Sequence, residues 1–276
     1  MVISMRLNRN MYSMNIYDNY KKKLTKNSMA MNNISSGLRL NKSKDNPNKI
    51  EQSESIKIQV VSNSAAQRNV QDTASMIQTF DGAMSEMNNC LSRLKELIVQ
   101  AGNGSMVEVD RKSIQMEIDS LTEHITYMAD NTEFNGVKLL NKDGNIEAMI
   151  GSFQGETTNI PQIKLTADSL GIENLSILDP ANADACNTAV DIATIKVSSA
   201  RSTLGAIQSR LEQSYENIGE NSIVLEKSQS RIADADIAEE MLKFSETQIF
   251  VQSSISLMAQ SNKIPQDALQ ILSNIR

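Results

Sequence analysis

Val190, Val197, Leu204, Leu211, Ile218, Leu225 and Ile232 stand seven residues apart without a break. An apolar residue at every seventh position keeps one stripe of an α-helix turned toward a helical neighbour over many turns. No proline falls between Pro180 and Pro265 to interrupt it. At ~1.5 Å per residue, a helix of roughly 45 residues is about 68 Å long. A helix of that length cannot bury its own stripe, so it must lie along partners. The companion positions Ala193, Ala200 and Ile207 are small or apolar, then Ser214, Asn221 and Ser228 turn polar.

A second seam runs through Phe80, Met84, Met87, Leu91, Leu94 and Ile98, spaced alternately four and three. It predicts a helix that begins after Pro47 and stops at "AGNGS", where Gly102 and Gly104 end it. A third helix follows, with Asp110 as its expected N-cap and Ile114, Ile118, Leu121, Ile125 and Met128 as its stripe. It ends near "DNTEFNG", where Asn135-Gly136 signals a turn. The pattern changes at Val137. "VKLL", "IEAMI" and "QIKLT" are short apolar pieces broken by Asp143-Gly144, Gly151, Gly155 and Pro161. They predict a small β-hairpin region at about 137–180, closing with a loop to Pro180, and nothing else in the chain looks like strand.

Hydrophobic residues make up 40% of the 276, which allows a core, but aromatics are only 4% and Trp is absent. Thin helical seams are therefore expected rather than a thick centre. The fold class expected is mainly α: an elongated antiparallel helical rod or coiled coil, with the small β-hairpin region at mid-sequence.

The chain ends differ from the middle. Ile237, Met241, Phe244, Val251, Ile255 and Met258 form one stripe, while Leu242, Ile249, Phe250 and Leu257 form others. At the other end Ile3, Leu7, Met11, Met14 and Ile16 behave likewise. A helix apolar on several sides has to be surrounded. The obvious use is self-assembly, and a heterologous contact that does not close gives a helical filament.

Net charge is -6 and the pI about 5.0, which argues against nucleic acid as a main partner. The charge is uneven. Residues 1–50 hold Arg6, Arg9, Lys21, Lys22, Lys23, Lys26, Arg39, Lys42, Lys44 and Lys49 against Asp18 and Asp45. Residues 212–247 hold nine acids against Lys227, Arg231 and Lys243. These ends can attract one another, within a chain or between chains. A basic arm for nucleic acid or membrane is the lesser reading, because the stretch is interleaved with apolar residues at helical spacing. No window approaches the ~18–20 apolar residues of a membrane span, so no membrane insertion is expected. The N-terminal stretch lacks the apolar run of a cleavable secretory signal. The default compartment is then the cytoplasm, unless export follows a route that removes no peptide.

His124 is the only histidine, and a lone histidine at the edge of a helical stripe is more often structural or solvated than catalytic, so no Ser/His/Asp or Cys/His constellation is assigned to it. No phosphate-binding glycine loop or metal-spaced Cys/His cluster occurs. The expectation is a non-enzyme without cofactors. Asp236, Glu239 and Glu240 share one helix face and could offer oxygen ligands, but a solvated or salt-bridged acidic face is the better reading, so no metal site is expected. Cys90 and Cys186 are either two small core residues or one bridge.

Several segments together resemble bacterial flagellin. They are "MRLNRN", "ISSGLRLNKSKD" at 34–45, "SRLKELIVQAGNG" at 92–104, "TEFNGVKLL" at 132–140, "IGSFQGET" at 150–157, "RSTLGAIQSRLE" at 201–212, "SRIADADIAEEM" at 230–241 and "MAQSNKIPQDALQIL" at 258–272. The resemblance implies a filament subunit for motility, of a minimal form without variable outer domains. Residues 1–46 and 236–276 would form the inner, channel-lining coiled coil on assembly. Residues 47–235 would form the helical rod, including the β-hairpin region. Leu7, Met11, Met14, Phe244, Val251, Ile255 and Met258 would serve inner-domain assembly.

The implied partners are further copies of the chain, the flagellar type III export apparatus and a flagellin chaperone, and the filament cap and hook-associated proteins. The implied location is the extracellular flagellum. The resemblance also implies recognition of the monomer by Toll-like receptor 5, on a surface shared with subunit packing. The matching positions are Leu91, Arg93, Glu96, Leu97 and Glu117, joined by Gln100 on the same polar face. Two departures stand out: Ser92, where sensed members often carry Gln, and "NPNKIEQSES" after "KSKD", where Pro47 marks a boundary. The alternatives are a hook–filament junction protein of the same superfamily and a cytosolic helical scaffold.

Overall fold

The computed structural model describes residues 10–153 and 155–274; Ile3 and Leu7 lie outside them. The chain is mainly α-helical. Its elements are α1 (Met11–Ser36), α2 (Pro47–Ala101), α3 (Glu108–Asn131), β1 (Gly144–Met149), β2 (Thr157–Gln162), a one-turn α4 (Ala167–Leu170), α5 (Ala183–Ala233) and α6 (Ile237–Asn274). Two compact units divide it, one from Met1–Ile58 and Leu225–Arg276, the other from Gln59–Val224. Both α2 and α5 run through the division.

In the unit Gln59–Val224 the sequence seams become the core. Phe80, Met84, Met87, Leu91, Leu94 and Ile98 of α2 are fully buried, with Ile114, Ile118 and Ile125 of α3 and Val190, Val197, Leu204 and Leu211 of α5. Arg201 of α5 grips Asp81 of α2 through Nε at 2.8 Å and a terminal nitrogen at 3.2 Å. Lys95 of α2 pairs with Asp191 of α5. As residue numbers rise along α2 they fall along α5, so the two helices are antiparallel. Beyond Leu211 the α5 seam opens: Ile218 is half-buried.

Pro47 opens α2, where a missing N–H costs nothing. The Asn46 side chain accepts the Lys49 N–H at 3.2 Å. The α3 start differs from expectation. Val107 is the cap residue, without a side-chain cap bond, and Asp110 lies inside the first turn with Glu108. There both acids still suit the positive end of the helix dipole.

After α3, Asn135 (φ 51°) and Gly136 (φ 77°) form the turn of a miniature hairpin closed by paired Phe134–Val137 backbone bonds. Both central residues have positive φ, the condition for a two-residue turn matching strand twist. The strands β1 and β2 pair antiparallel with Ile146 opposite Ile160. Thr158, Ile160 and Gln162 point inward in alternation. "VKLL" is not a strand. It lies beside "QIKLT", with Ile163 and Leu165 donating to the Leu139 and Leu140 carbonyls. The segment expected as a loop to Pro180 is more ordered than a plain loop. It contains α4, stopped by Gly171 at φ 77°, and it buries Leu165, Leu170, Ile172, Leu175 and Ile177. A loop carrying five core aliphatics folds down rather than extending into water.

In the other unit, α1 and α6 pack antiparallel. Asn10 Nδ2 donates to the Ser261 carbonyl and hydroxyl, both at 2.9 Å. Asn27 Nδ2 donates to the Phe244 carbonyl at 3.2 Å and Thr247 Oγ1 at 3.0 Å. Asn33 Nδ2 reaches Glu240 at 3.4 Å. At the far end of this pair the segment after α1 caps α5. Arg39 donates from its backbone N–H to the Ala233 carbonyl at 2.7 Å and from its guanidinium to the Arg231 and Ile232 carbonyls. These bonds satisfy carbonyls that a helix end leaves open. Asp236 then caps α6, accepting the Ala238 and Glu239 N–H groups.

Candidate interaction surfaces

The α1–α6 seam is half polar. Its positions step by three and four: Ser13, Ile16, Tyr20, Lys23, Asn27, Ala30 and Ile34 on α1, and Glu240, Phe244, Thr247, Val251, Ser254, Met258 and Ser261 on α6. Ala30 is the one buried hydrophobic residue among the described residues of this unit. Large apolar side chains instead face outward, among them Met11, Met14, Leu24, Met29, Leu242, Ile249 and Leu257. The expected assembly residues therefore split. Phe244, Val251 and Met258 are half-buried in the seam, whereas Met11, Met14 and Ile255 are exposed. Ile16 takes the α1 seam position that Met11 and Met14 do not. Ile237 and Met241, from the same predicted stripe, are also exposed. A coiled-coil pair whose seam is half amide and hydroxyl, with many of its large aliphatics outside, leaves much of its hydrophobic gain unrealised in the single subunit.

The second surface is the outer face of α2. Arg93 extends from α2 to α3: its Nε and one terminal nitrogen donate to Glu117 Oε1 at 3.0 and 2.9 Å. The other terminal nitrogen donates to Glu96 at 3.1 Å. The hydrogen bonds to Glu117 first, then to Glu96, push the guanidinium above its ordinary value. All three side chains stay open to solvent. Beside them Ser92, Lys95, Glu96, Val99 and Gln100 line a shallow groove of about 500 Å³. Leu91 and Leu97 are corrected from surface to support, since both are core residues. They reach a partner only by fixing the helix that carries Arg93, Glu96 and Gln100.

The acidic group at 236–240 is committed elsewhere. Asp236 is the α6 cap, while Lys243 pairs with Glu239 at 2.8 Å and with the nearly buried Glu240 at 3.0 Å. No cluster with metal-holding geometry occurs among the described residues. Cys90 and Cys186 are buried free thiols. The Lys95–Asp191 pairing sets Cys186 level with the end of α2, where a Cβ on Gly102 would lie 3.4 Å from Ala183 Cβ. That is about ten residues, ~15 Å along a helix, from Cys90, and a disulfide needs Cα atoms within about 7 Å. Burial, then Glu86, raises the Cys90 thiol pKa.

One positioning residue had no sequence signal. Gln115 of α3 donates to the Leu175 carbonyl at 2.7 Å and accepts the Ile177 N–H at 2.9 Å. An amide in a helix gives no hint that a backbone 60 residues away completes it.

A helical chain that turns its aliphatics outward on both terminal helices calls for neighbours to pack against. Family profiles say what kind of chain this is. The bacterial flagellin N-terminal helical region matches residues 7–145, and the C-terminal helical region matches residues 188–272. The chain is 36% identical to a flagellin of Halalkalibacterium halodurans over 97% of this chain and 100% of that one. It is 34% identical to a flagellin of Bacillus subtilis over 97% and 100%. A flagellar filament 30.7 kDa core protein of Treponema maltophilum is 32% identical over 87% and 90%. The chain belongs to the bacterial flagellin family, structural subunits that polymerise into the flagellar filament. A solved structure described as a flagellar hook-associated protein from Vibrio parahaemolyticus shares the fold alone, at TM-score 0.59 and 14% identity over 69% of this chain and 100% of that one. No helix among the described residues is long and apolar enough to cross a membrane.

Proposed function

We propose that this chain polymerises through its terminal helices, with residues 1–46 and 236–276 lining the filament channel and residues 47–235 forming the surrounding rod. The observation that carries this reading is the half-polar α1–α6 seam, beside which Met11, Met14, Leu24, Leu242, Ile249 and Leu257 turn outward. Water is the wrong neighbour for Leu242 or Ile249, and a second copy is the neighbour a filament supplies. The assembly set is Leu7, Met11, Met14, Phe244, Val251, Ile255 and Met258 together with these outward residues. In the same reading the subunit leaves the cell through the flagellar type III apparatus with a chaperone, and meets the cap and hook-associated proteins at the filament ends. The test is seeded polymerisation of purified subunit. Deletion of residues 1–35 or 240–276 abolishes growth, and a truncated chain that grows like the full one refutes the reading.

The α2 surface supports a second role for the free subunit, recognition by Toll-like receptor 5. Arg93, Glu96, Gln100 and Glu117 supply a charged, planar, solvent-facing cluster on rigid helices, the kind of group that anchors an interface. Leu91 and Leu97 hold the cluster from beneath. Replacing Arg93 with Ala weakens binding to the receptor ectodomain several-fold while helicity stays unchanged; equal affinity for both proteins removes the assignment.

A further inference from the structure

A groove of about 430 Å³ lies between α2 and α5 where the α5 seam begins to open. Val70 and Leu211 form its buried floor, and Glu212, Tyr215 and Glu216 form its rim. Tyr215 is 43% exposed. Glu212 and Glu216 sit one helical turn apart, so both carboxylates face the same way. Neither is paired with a cation among the described residues; Glu212 accepts only the Gln208 amide, at 3.1 Å.

The complementary feature lies on α1. Lys22 and Lys26 are also one turn apart, and Met29 continues the same face. All three are exposed. Lys23, between them, is already spent: it pairs with Glu246 at 3.2 Å and lies 4.0 Å over the Phe250 ring. Lys22 and Lys26 have no acidic partner among the described residues. Two unpaired cations at a one-turn spacing thus match two unpaired carboxylates at the same spacing.

We infer that the Glu212–Tyr215–Glu216 groove receives the Lys22–Lys26–Met29 face of α1 from a second copy of the chain. The lysines meet the two carboxylates, one ammonium can also lie against the Tyr215 ring, and Met29 lies over the half-buried Ala74 that lines the groove beside Val70. The groove and the helix face are different surfaces, so the contact is heterologous and every copy offers both halves. Rim charges of this kind steer encounter and fix register more than they add affinity. The contact therefore governs the rate and register of subunit addition and weakens as salt screens it. The inference rests on the self-assembly reading.

Charge reversal tests it in full-length chains. K22E/K26E and E212K/E216K are each purified, checked for helicity by circular dichroism, and added to filament seeds at low salt. Each alone elongates about tenfold more slowly or worse. An equal mixture returns to within about threefold of the unmodified rate, because the acidic α1 face of one variant then meets the basic groove of the other. Neutral K22Q/K26Q, which leaves α1 with less charge to accommodate, falls between and serves where a reversed chain loses helicity. Unmodified elongation by either reversed chain overturns the inference. So does a mixture that stays slow while the four substitutions combined in one chain restore growth, which would place the contact within a chain. Failure of the unmodified chain to elongate at all would instead refute self-assembly.

Discussion

Leu242 and Ile249 lie seven residues apart on one outward stripe of α6, 72% and 64% exposed. Their replacement by Ala separates folding from assembly. Fully burying such a side chain stabilises by about 1.5–3 kcal/mol. Covering only the area now open is then worth about 1–2 kcal/mol at each position. Allowing for the methyl group that Ala retains, the pair contributes roughly 2–3 kcal/mol to subunit addition. At about 1.4 kcal/mol per decade, L242A/I249A raises the critical concentration for polymerisation about 30- to 150-fold. Monomer stability stays within about 0.5 kcal/mol, as for surface substitutions generally. Leu94→Ala is the opposite case. Leu94 is fully buried within one subunit, so its truncation costs about 2–5 kcal/mol in urea unfolding. Critical concentration is read from the subunit remaining after seeded growth, and stability from the unfolding midpoint. If L242A/I249A polymerises at the unmodified critical concentration, the outward stripe is not a subunit contact. If it lowers monomer stability by more than about 1 kcal/mol, the stripe is core already.

Three further outcomes follow from the geometry. Both thiols resist alkylation in the native subunit at pH 8 because both are buried, Cys90 also because burial and then Glu86 raise its pKa, and two free thiols appear on unfolding; a mass showing a native intrachain disulfide contradicts the register of α2 and α5. Gln115→Ala removes both clamps on the 172–177 backbone, costs about 1–2 kcal/mol, and speeds amide exchange at Ile177, whereas unchanged exchange there assigns the clamp no role. The hydrogen bond from Lys112 and then its charge lower the Glu108 pKa, so this contribution to α3 is present above the unfolded value near 4.3 and is lost as pH falls through the depressed folded value. The protection factors of the α3 amides beyond the first turn, corrected for the intrinsic pH dependence of exchange, fall across that acid window in the unmodified chain, and Lys112→Met flattens the change.

Heptad spacing was readable where one helix meets another of its own chain. In α2 the six seam positions are all fully buried, because a seam needs aliphatics at three-and-four spacing and the rest of the surface can be polar. The same rule misdirects at α1 and α6. There the intramolecular seam takes Asn27, Thr247 and Ser261 beside Ile16, Phe244, Val251 and Met258, while other aliphatics of the same periodic signal, such as Met11, Met14 and Ile255, lie on other faces. Periodicity reports which side chains need cover and not which neighbour provides it. The 163–177 segment failed for a different reason. Its aliphatics follow neither a helical nor a strand period, since one turn of helix, a left-handed Gly171 and irregular backbone pin them in sequence. Gln115 and Arg201 were invisible because a polar residue on a helix carries no record of a partner 60 or 120 residues away. The Arg93 cluster was the reverse case: the polar face was legible from spacing, yet the bridge to Glu117 depends on how α3 returns beside α2. Burial of Leu91 and Leu97 then divides the candidate surface by reach. A charge-preserving change at Arg93 should alter partner binding before it alters folding, and a truncation at Leu91 should alter folding first.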